Sequence, residues 1–170
     1  GPFEYKGNSR TWTMVAAKSD GIRYQRGQVD EKFLIDGEIG GVSTSRDGAR
    51  IAAGRVFSGE RSVNIYSVSG RVLSVVKTFS GNSGRQILTN NVELSDDGKT
   101  VGIYGYYELT NSNFIEVFKE VNSDWVSLGI IDKPNFQFSI DDWKMSDDGK
   151  RVFVQTGNTL EVVELSEGNL

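Results

Sequence analysis

The 170-residue chain contains neither cysteine nor histidine. Without cysteine it can form no disulfide, no thiolate metal site and no thiol nucleophile. Without histidine it lacks the side chain used most often as a general base near neutral pH and as a metal ligand. The two absences exclude histidine-dependent triads and the common zinc sites. We therefore expect neither a metal ion nor a cofactor.

An excess of positive charge is absent as well. Nineteen lysines and arginines stand against 23 acidic residues, which gives a net charge of −4. This balance provides no broad basic field of the kind that dominates nucleic-acid affinity, so we expect no nucleic-acid partner. No stretch approaches the roughly 20 consecutive apolar residues of a membrane helix, and we expect no membrane insertion. Because the chain begins with Gly1 rather than methionine, we expect it to be part of a larger protein.

The sequence has no sustained helical periodicity, but it has a repeat. Asp47, Asp97 and Asp148 are 50 and 51 residues apart, and each precedes a glycine and lies two residues after a serine. A regular spacing of this length indicates repeated supersecondary units. The segments that align are residues 42–53, 92–103 and 143–154.

Each repeat predicts one four-stranded sheet. Alternating apolar and polar residues on both sides of an Asp-Gly dipeptide indicate a hairpin, because glycine accepts the positive φ of a tight turn. Strands a and b are therefore joined by the structural turns Asp47-Gly48, Asp97-Gly98 and Asp148-Gly149. Further alternating runs predict strand c at residues 63–66, 115–118 and 160–163, and strand d at residues 72–76 and 125–129.

We therefore predict an all-β, β-propeller-like fold with about four blades of four antiparallel strands. The blades span about residues 3–39, 40–80, 88–132 and 138–165. No clear strand d follows residue 165, so we expect the last blade to be incomplete or to be closed by the N-terminal strand at Phe3–Tyr5. The same three residues also fit strand a of the first blade, and both alternatives remain open at this point.

The Ser-x-Asp-Gly pattern followed by a strand such as Val63–Tyr66 resembles WD40-like β-propeller repeats over roughly residues 40–165. The segment Trp125–Asp132 resembles the outer strand of integrin-like propeller repeats. The resemblance implies a binding or scaffolding platform that presents its loops to partners.

In a propeller, the b–c loops and the d–a connections emerge on the same face. Aromatic and arginine side chains exposed on such loops commonly bind partners. We therefore predict a binding surface that includes Phe57, Arg61, Arg85, Tyr107, Asn111, Asn113, Phe136 and Phe138. The alternative is that Phe136 and Phe138 pack between blades and that the arginines are solvated.

The acidic motifs do not predict a reactive site. Calcium loops carry carboxylates at alternate positions, whereas Asp96-Asp97-Gly98 is followed by Lys99. Asp141 and Asp142 are neighbours on a strand and point to opposite faces, so they cannot act as a glycosidase pair. We predict no catalytic residue and no metal site.

These observations favour a non-enzymatic protein-interaction or scaffold module. Two alternatives remain open. The first is a carbohydrate-binding propeller, or one that hydrolyses glycosides with acids alone. The second is self-association, in which an edge strand of a second chain completes the last blade.

Overall fold

The computed structural model describes residues 2–7, 12–132 and 140–166. These residues form fifteen strands in four antiparallel sheets. The all-β propeller prediction is confirmed. Within the described ranges there is no helix long and apolar enough to cross a membrane.

We number the sheets as blades one to four in chain order and their strands a to d. Blade one contains β1 (Phe3–Gly7), β2 (Trp12–Lys18), β3 (Gly21–Arg26) and β4 (Val29–Leu34). Blade two contains β5 (Glu38–Thr44), β6 (Arg50–Phe57), β7 (Glu60–Ser69) and β8 (Val72–Ser80). Blade three contains β9 (Arg85–Leu94), β10 (Thr100–Tyr107), β11 (Asn113–Val121) and β12 (Asp124–Ile131). Blade four contains β13 (Asp142–Met145), β14 (Arg151–Thr156) and β15 (Thr159–Glu164).

The N-terminal strand belongs to blade one. β1 pairs antiparallel with β2, with Phe3 opposite Ala16 and Gly7 opposite Trp12. It is therefore strand a of its own blade and does not close blade four. In the described part of the chain, blade four has three strands, as expected for an incomplete last blade.

The hydrophobic core lies between neighbouring blades. Successive side chains of a strand point to opposite faces of its sheet, so Ile51 packs against blade one and Ala52 packs against blade three. Three apolar clusters result, one for each pair of adjacent blades. Fully buried members include Val15, Ile22 and Val42 between blades one and two, Val63, Val92 and Val101 between two and three, and Ile115, Val117 and Val152 between three and four.

Blades two and three approach each other closely beside two glycines. A Cβ atom would lie 2.5 Å from the carbonyl oxygen of Thr89 at Gly40 and 2.0 Å from it at Gly54. Any side chain at either position would collide with the backbone of β9. The glycines therefore allow the inner strands of the two blades to pack together.

Candidate functional site

The a–b turns of blades two, three and four share one geometry. In the first, Ser45 Oγ donates to Asp47 Oδ1 over 2.8 Å, and the backbone N–H of Ala49 donates to the same oxygen over 2.9 Å. Gly48 has a φ of 72°. The same two hydrogen bonds recur in the other two turns, which contain Ser95, Asp97, Gly98 and Lys99, and Ser146, Asp148, Gly149 and Lys150. Their glycines have the same φ of 72°.

These turns use their polar groups internally. The hydrogen bonds from Ser146 Oγ and from the backbone N–H of Lys150 lower the pKa of Asp148. Burial raises the pKa of Asp47, but its hydrogen bonds outweigh this effect and the net shift is downward. Neighbouring turns are also joined through Asp96, because Arg46 N donates to Asp96 O over 2.8 Å and Asp96 N donates to Asp147 O over 2.7 Å. The a–b turns are thus tied into one structural layer.

The b–c loop of blade two borders a groove of about 640 Å³ that reaches the d–a connection and the start of blade three. We call it the blade-two groove. It is lined by Arg55, Phe57, Gly59, Glu60, Arg61, Ser62, Asn64, Val75, Thr78, Ser80, Gly81, Asn82, Ser83, Gln86 and Glu108. Two of the predicted binding residues, Phe57 and Arg61, therefore lie in one concave site.

An aromatic ring and two guanidinium groups dominate this end of the groove. Phe57 is 46% exposed, and the guanidinium carbon of Arg55 lies 4.5 Å from the centre of its ring. Arg55 Nε donates to the carbonyl oxygen of Asp36 over 2.6 Å, which fixes the side chain in place. Arg61 is exposed and makes no hydrogen bond or ion pair with other described residues. Its charge is available to a ligand.

Asn64 adds a buried polar group to the same groove. It is 4% exposed, and its Nδ2 donates to the hydroxyl of Tyr66 over 3.1 Å. Burial raises the pKa of Tyr66, so the hydroxyl remains protonated near neutral pH. Within the described residues, Asn64 Oδ1 has no hydrogen-bond partner. A buried acceptor left unpaired costs on the order of 1–3 kcal/mol, which a ligand with a hydrogen-bond donor could recover.

Two further predicted residues lie together on blade three. Arg85 Nη1 is 3.3 Å from Glu116 Oε1, and its guanidinium packs over the ring of Phe114. Tyr107 donates its hydroxyl hydrogen to Asp132. Burial and this hydrogen bond raise the pKa of Tyr107 to about 12. Both side chains are engaged within the blade rather than in the blade-two groove.

The remaining predicted residues are placed differently. Asn111 lies in the b–c loop of blade three, where it adopts a φ of 56° and its N–H donates to Tyr107 O over 2.8 Å. Asn113 is buried, and its amide donates to Gly105 O over 3.2 Å and accepts from Ile140 N over 2.9 Å. It holds the entry to blade four and does not belong to an exposed binding surface. Phe136 and Phe138 lie outside the described residues.

A second cavity, of about 310 Å³, lies on the side of the a–b turns and contains charges of both signs. Lys6 Nζ donates to Leu94 O over 2.6 Å and lies 3.4 Å from Asp96 Oδ1. Its geometry with Asp96 is that of an ion pair without a hydrogen bond, because Asp96 Oδ1 has no hydrogen-bond partner in the described chain. Within the described residues, no three acidic side chains are grouped to hold a metal ion.

Glu93 is the buried acid of this second cavity. It is 8% exposed, and its Oε1 accepts a hydrogen bond from Met145 N over 3.2 Å. Burial, followed by the charge of Glu4, raises the pKa of Glu93 to about 6. The carboxyl group can therefore take up or release a proton close to neutral pH.

No protein-family model and no curated protein sequence matches this chain. Solved structures do match. KlAtg21, solved in complex with the coiled coil of AgAtg16, is 15% identical with a TM-score of 0.66, over 95% of this chain and 51% of the other. The Cps50 (Swd1) β-propeller domain of Myceliophteria thermophila is 13% identical with a TM-score of 0.60, over 93% and 55%. A candidate 6-phosphogluconolactonase from Bacteroides uniformis is 15% identical with a TM-score of 0.59, over 92% and 48%.

At these identities the matches establish the β-propeller fold alone. The chain spans about half the length of each of these three structures. The finer resemblance to WD40-like repeats is not established, because no family model matches.

The prediction that the chain is not an enzyme is overturned. Its fold is shared with proteins named as candidate 6-phosphogluconolactonases, from two Bacteroides species. The prediction depended on the absence of histidine and cysteine, and this absence does not remove acid–base chemistry. Aspartate and glutamate side chains can also serve as proton donors or acceptors.

Sequence reasoning missed most of the polar lining of the blade-two groove, including Arg55, Asn64 and Gln86. One signal for Asn64 was available. It interrupts the apolar strand Val63–Tyr66 and shares a face with Tyr66, two residues later, so a hydrogen bond between them could have been expected. Arg55 and Gln86 carry no comparable signal, because the groove forms only when blades two and three are assembled.

Proposed function

We propose that this protein is a β-propeller interaction module that binds a polypeptide segment in the blade-two groove. The observation that carries the proposal is the unpaired Oδ1 of buried Asn64 in a groove that also presents Phe57 and Arg61. A backbone N–H of a partner would donate to Asn64 Oδ1. An apolar side chain of the same partner would pack on Phe57.

The charges of the groove favour an acidic side chain in the partner. Arg61 is exposed without an ionic partner among the described residues, and Arg55 stands beside it on the ring of Phe57. On the other side of the groove, Glu108 accepts a hydrogen bond from Gln86 Nε2 over 2.5 Å, which occupies one of its oxygens. Glu60 is the other carboxylate of the lining. Arginine can bind a carboxylate with two parallel hydrogen bonds.

Two further points support a polypeptide ligand. The groove volume of about 640 Å³ is within the roughly 300–1,000 Å³ of sites that bury a ligand. Aromatic residues and arginine are also the side chains that dominate protein–protein binding energy. The match to KlAtg21 in complex with a coiled coil is consistent with a propeller that accepts a protein segment.

The proposal can be tested with peptides displayed on phage. A random dodecapeptide library is selected against the wild-type protein. Recovered peptides are synthesised, and their affinities are measured by fluorescence anisotropy. We expect enrichment of acidic residues next to an apolar residue. Affinity should fall roughly 10-fold or more in Phe57→Ala and in Asn64→Ala, since hot-spot contacts contribute at least about 1.4 kcal/mol.

Arg61→Ala should weaken the same peptides, and the loss should shrink at high salt because it removes an exposed charge. The matched control is Arg23→Ala, since Arg23 is an exposed arginine on blade one, outside the groove. Recovery of only peptides that bind all variants equally would contradict the proposal.

A further inference from the structure

The two end blades each leave one sheet face exposed. The front face of blade one, on the side away from blade two, carries five apolar side chains: Phe3, Tyr5, Trp12, Met14 and Ala16. The rear face of blade four, on the side away from blade three, carries Phe153, Leu160 and Val162, together with Lys144. These surfaces are distinct from the blade-two groove.

The rear face of blade four has the composition of a blade interface. Leu160 and Val162 are 66% and 51% exposed. The residues at the same positions of strand c in blades two and three are all fully buried: Val63, Ile65, Ile115 and Val117. The first two pack in the cluster between blades two and three. The latter two pack in the cluster between blades three and four. Blade four therefore presents to solvent the surface that earlier blades cover with the next blade.

The front face of blade one shows the complementary situation. Phe3 and Tyr5 are 56% and 48% exposed, and the Tyr5 ring stacks on that of Trp12 with ring centres 5.9 Å apart. The residues at the same positions of strand a in the other three blades are buried: Val42, Thr44, Val92, Leu94, Trp143 and Met145. In blades two to four a preceding blade covers these positions.

A series of hydrogen bonds along the inner strands links each blade to the next, and it begins and ends at residues of opposite charge. The Glu4 carboxylate accepts from Thr44 N over 2.9 Å. In the next blade, Ser43 Oγ accepts from Leu94 N over 2.9 Å, and Ser43 Oγ also lies 2.8 Å from Glu4 Oε2.

Glu93 continues the series by accepting from Met145 N over 3.2 Å. The equivalent residue of blade four is Lys144, which can donate but cannot accept. In blade one, the residue at this position is Glu4, and equivalent residues of adjacent blades approach each other, as Glu4 and Ser43 do. Lys144 is thus suited to a following blade that carries a carboxylate at the position of Glu4.

We propose that two copies of this chain associate head to tail. The rear face of blade four of each copy packs on the front face of blade one of the other, and Lys144 pairs with Glu4 of the second copy. Each copy contributes four blades, and a twofold axis closes both interfaces at once.

The first test measures molar mass by light scattering and sedimentation over a wide concentration range. We expect a species of twice the 18.8 kDa chain mass. Val162→Glu and Tyr5→Lys should each weaken dimerisation at least 10-fold, because each places a charge in an apolar interface. The matched control is Val72→Glu, since Val72 is similarly exposed on β8 of blade two. Circular dichroism checks that all variants fold.

Mixing the two variants tests the head-to-tail arrangement. Val162→Glu keeps an intact front face and Tyr5→Lys keeps an intact rear face, so an equimolar mixture should regain dimers that neither variant forms alone. Lys144→Glu alone should also dimerise more weakly than wild type, with a larger effect at low salt.

Four outcomes would overturn the proposal: a wild-type chain that remains monomeric at all concentrations, open-ended polymers instead of dimers, equal loss in the Val72→Glu control, or a dimer that only a proline in β15 disrupts. The last outcome would identify edge-strand pairing as the mode of association. Peptide binding in the blade-two groove is a separate readout, and it can succeed or fail independently.

Discussion

The a–b turns and the b–c loops differ in how they use their polar groups. The a–b turns of blades two to four repeat serine, aspartate and glycine with the same hydrogen bonds, and they are also bonded to one another. The b–c loops differ in sequence and conformation, as the positive φ values at Ser58 and Asn111 illustrate. Repetition in this chain therefore marks groups that satisfy one another, whereas the b–c loops share no such hydrogen-bond pattern.

The largest expected effect compares two glycines of blade two that both have positive φ, 72° at Gly48 and 78° at Gly59. Alanine at either position should lose about 1–2 kcal/mol through backbone strain. At Gly48 the new Cβ would also lie 2.4 Å from the Tyr24 hydroxyl of blade one, whereas at Gly59 nothing lies within 4 Å. Overpacking should add about 1–3 kcal/mol for Gly48→Ala alone.

Urea unfolding of the two variants measures this difference. If Gly48→Ala and Gly59→Ala were equally destabilised, the contact between the a–b turn and the preceding blade would contribute nothing to stability.

The second prediction compares two arginines. Arg50 forms a double hydrogen bond with Glu120 of blade three, at 3.0 and 3.1 Å, and also donates to Gly98 O over 3.0 Å. Its replacement by alanine should cost about 2–3 kcal/mol, because Glu120 is mostly buried and would lose its partner. Arg61→Ala in the b–c loop should change the free energy of unfolding by less than about 0.5 kcal/mol. Thermal unfolding provides the measurement. Similar losses of unfolding free energy in both variants would mean that the ion pair of Arg50 contributes no more to stability than the exposed side chain of Arg61.

The third prediction concerns pH. The pKa of Glu93 in the folded protein, about 6, lies above its ordinary value of 4.5, because burial disfavours the carboxylate. The stability associated with the protonated form is therefore complete below about pH 4.5 and is lost as the pH rises through 6. Glu93→Gln does not titrate, so relative to wild type it should gain on the order of 2 kcal/mol between pH 4 and pH 7.

Denaturation at both pH values measures this change. Glu60→Gln, in the exposed b–c loop, is the control and should show no such gain. A pH dependence that is the same in Glu93→Gln and in wild type would contradict the assignment to Glu93.

The fold was predictable from the sequence wherever local chemistry determines it. Asp47-Gly48 and its two counterparts predict hairpins from glycine's access to positive φ, and alternating residues predict which side chains face a neighbouring blade. Blade one has no such dipeptide between its first two strands. Its strand a at Phe3–Tyr5 therefore fitted two arrangements, and only its pairing with β2 decided between them.

The candidate site was less predictable because its contacts are long-range. Phe57 and Arg61 are neighbours around one loop, and sequence reasoning placed them on the same surface. Asn113 was assigned to that surface from its position beside a loop, but Ile140, 27 residues away, binds its amide and buries it. The prediction that the chain is not an enzyme failed for another reason: it was drawn from missing residue types, whereas the same fold occurs in proteins named as candidate 6-phosphogluconolactonases.

The backbone bonds from Arg46 to Asp96 and from Asp96 to Asp147 connect blade two to blade three and blade three to blade four. Cooperativity in such an array is transmitted one unit at a time, as in a one-dimensional chain of coupled elements. In a single copy the central blades have two neighbours each and the end blades have one. Amide protons of blades two and three should then exchange with solvent more slowly than those of blades one and four, and association of a second copy should remove this gradient.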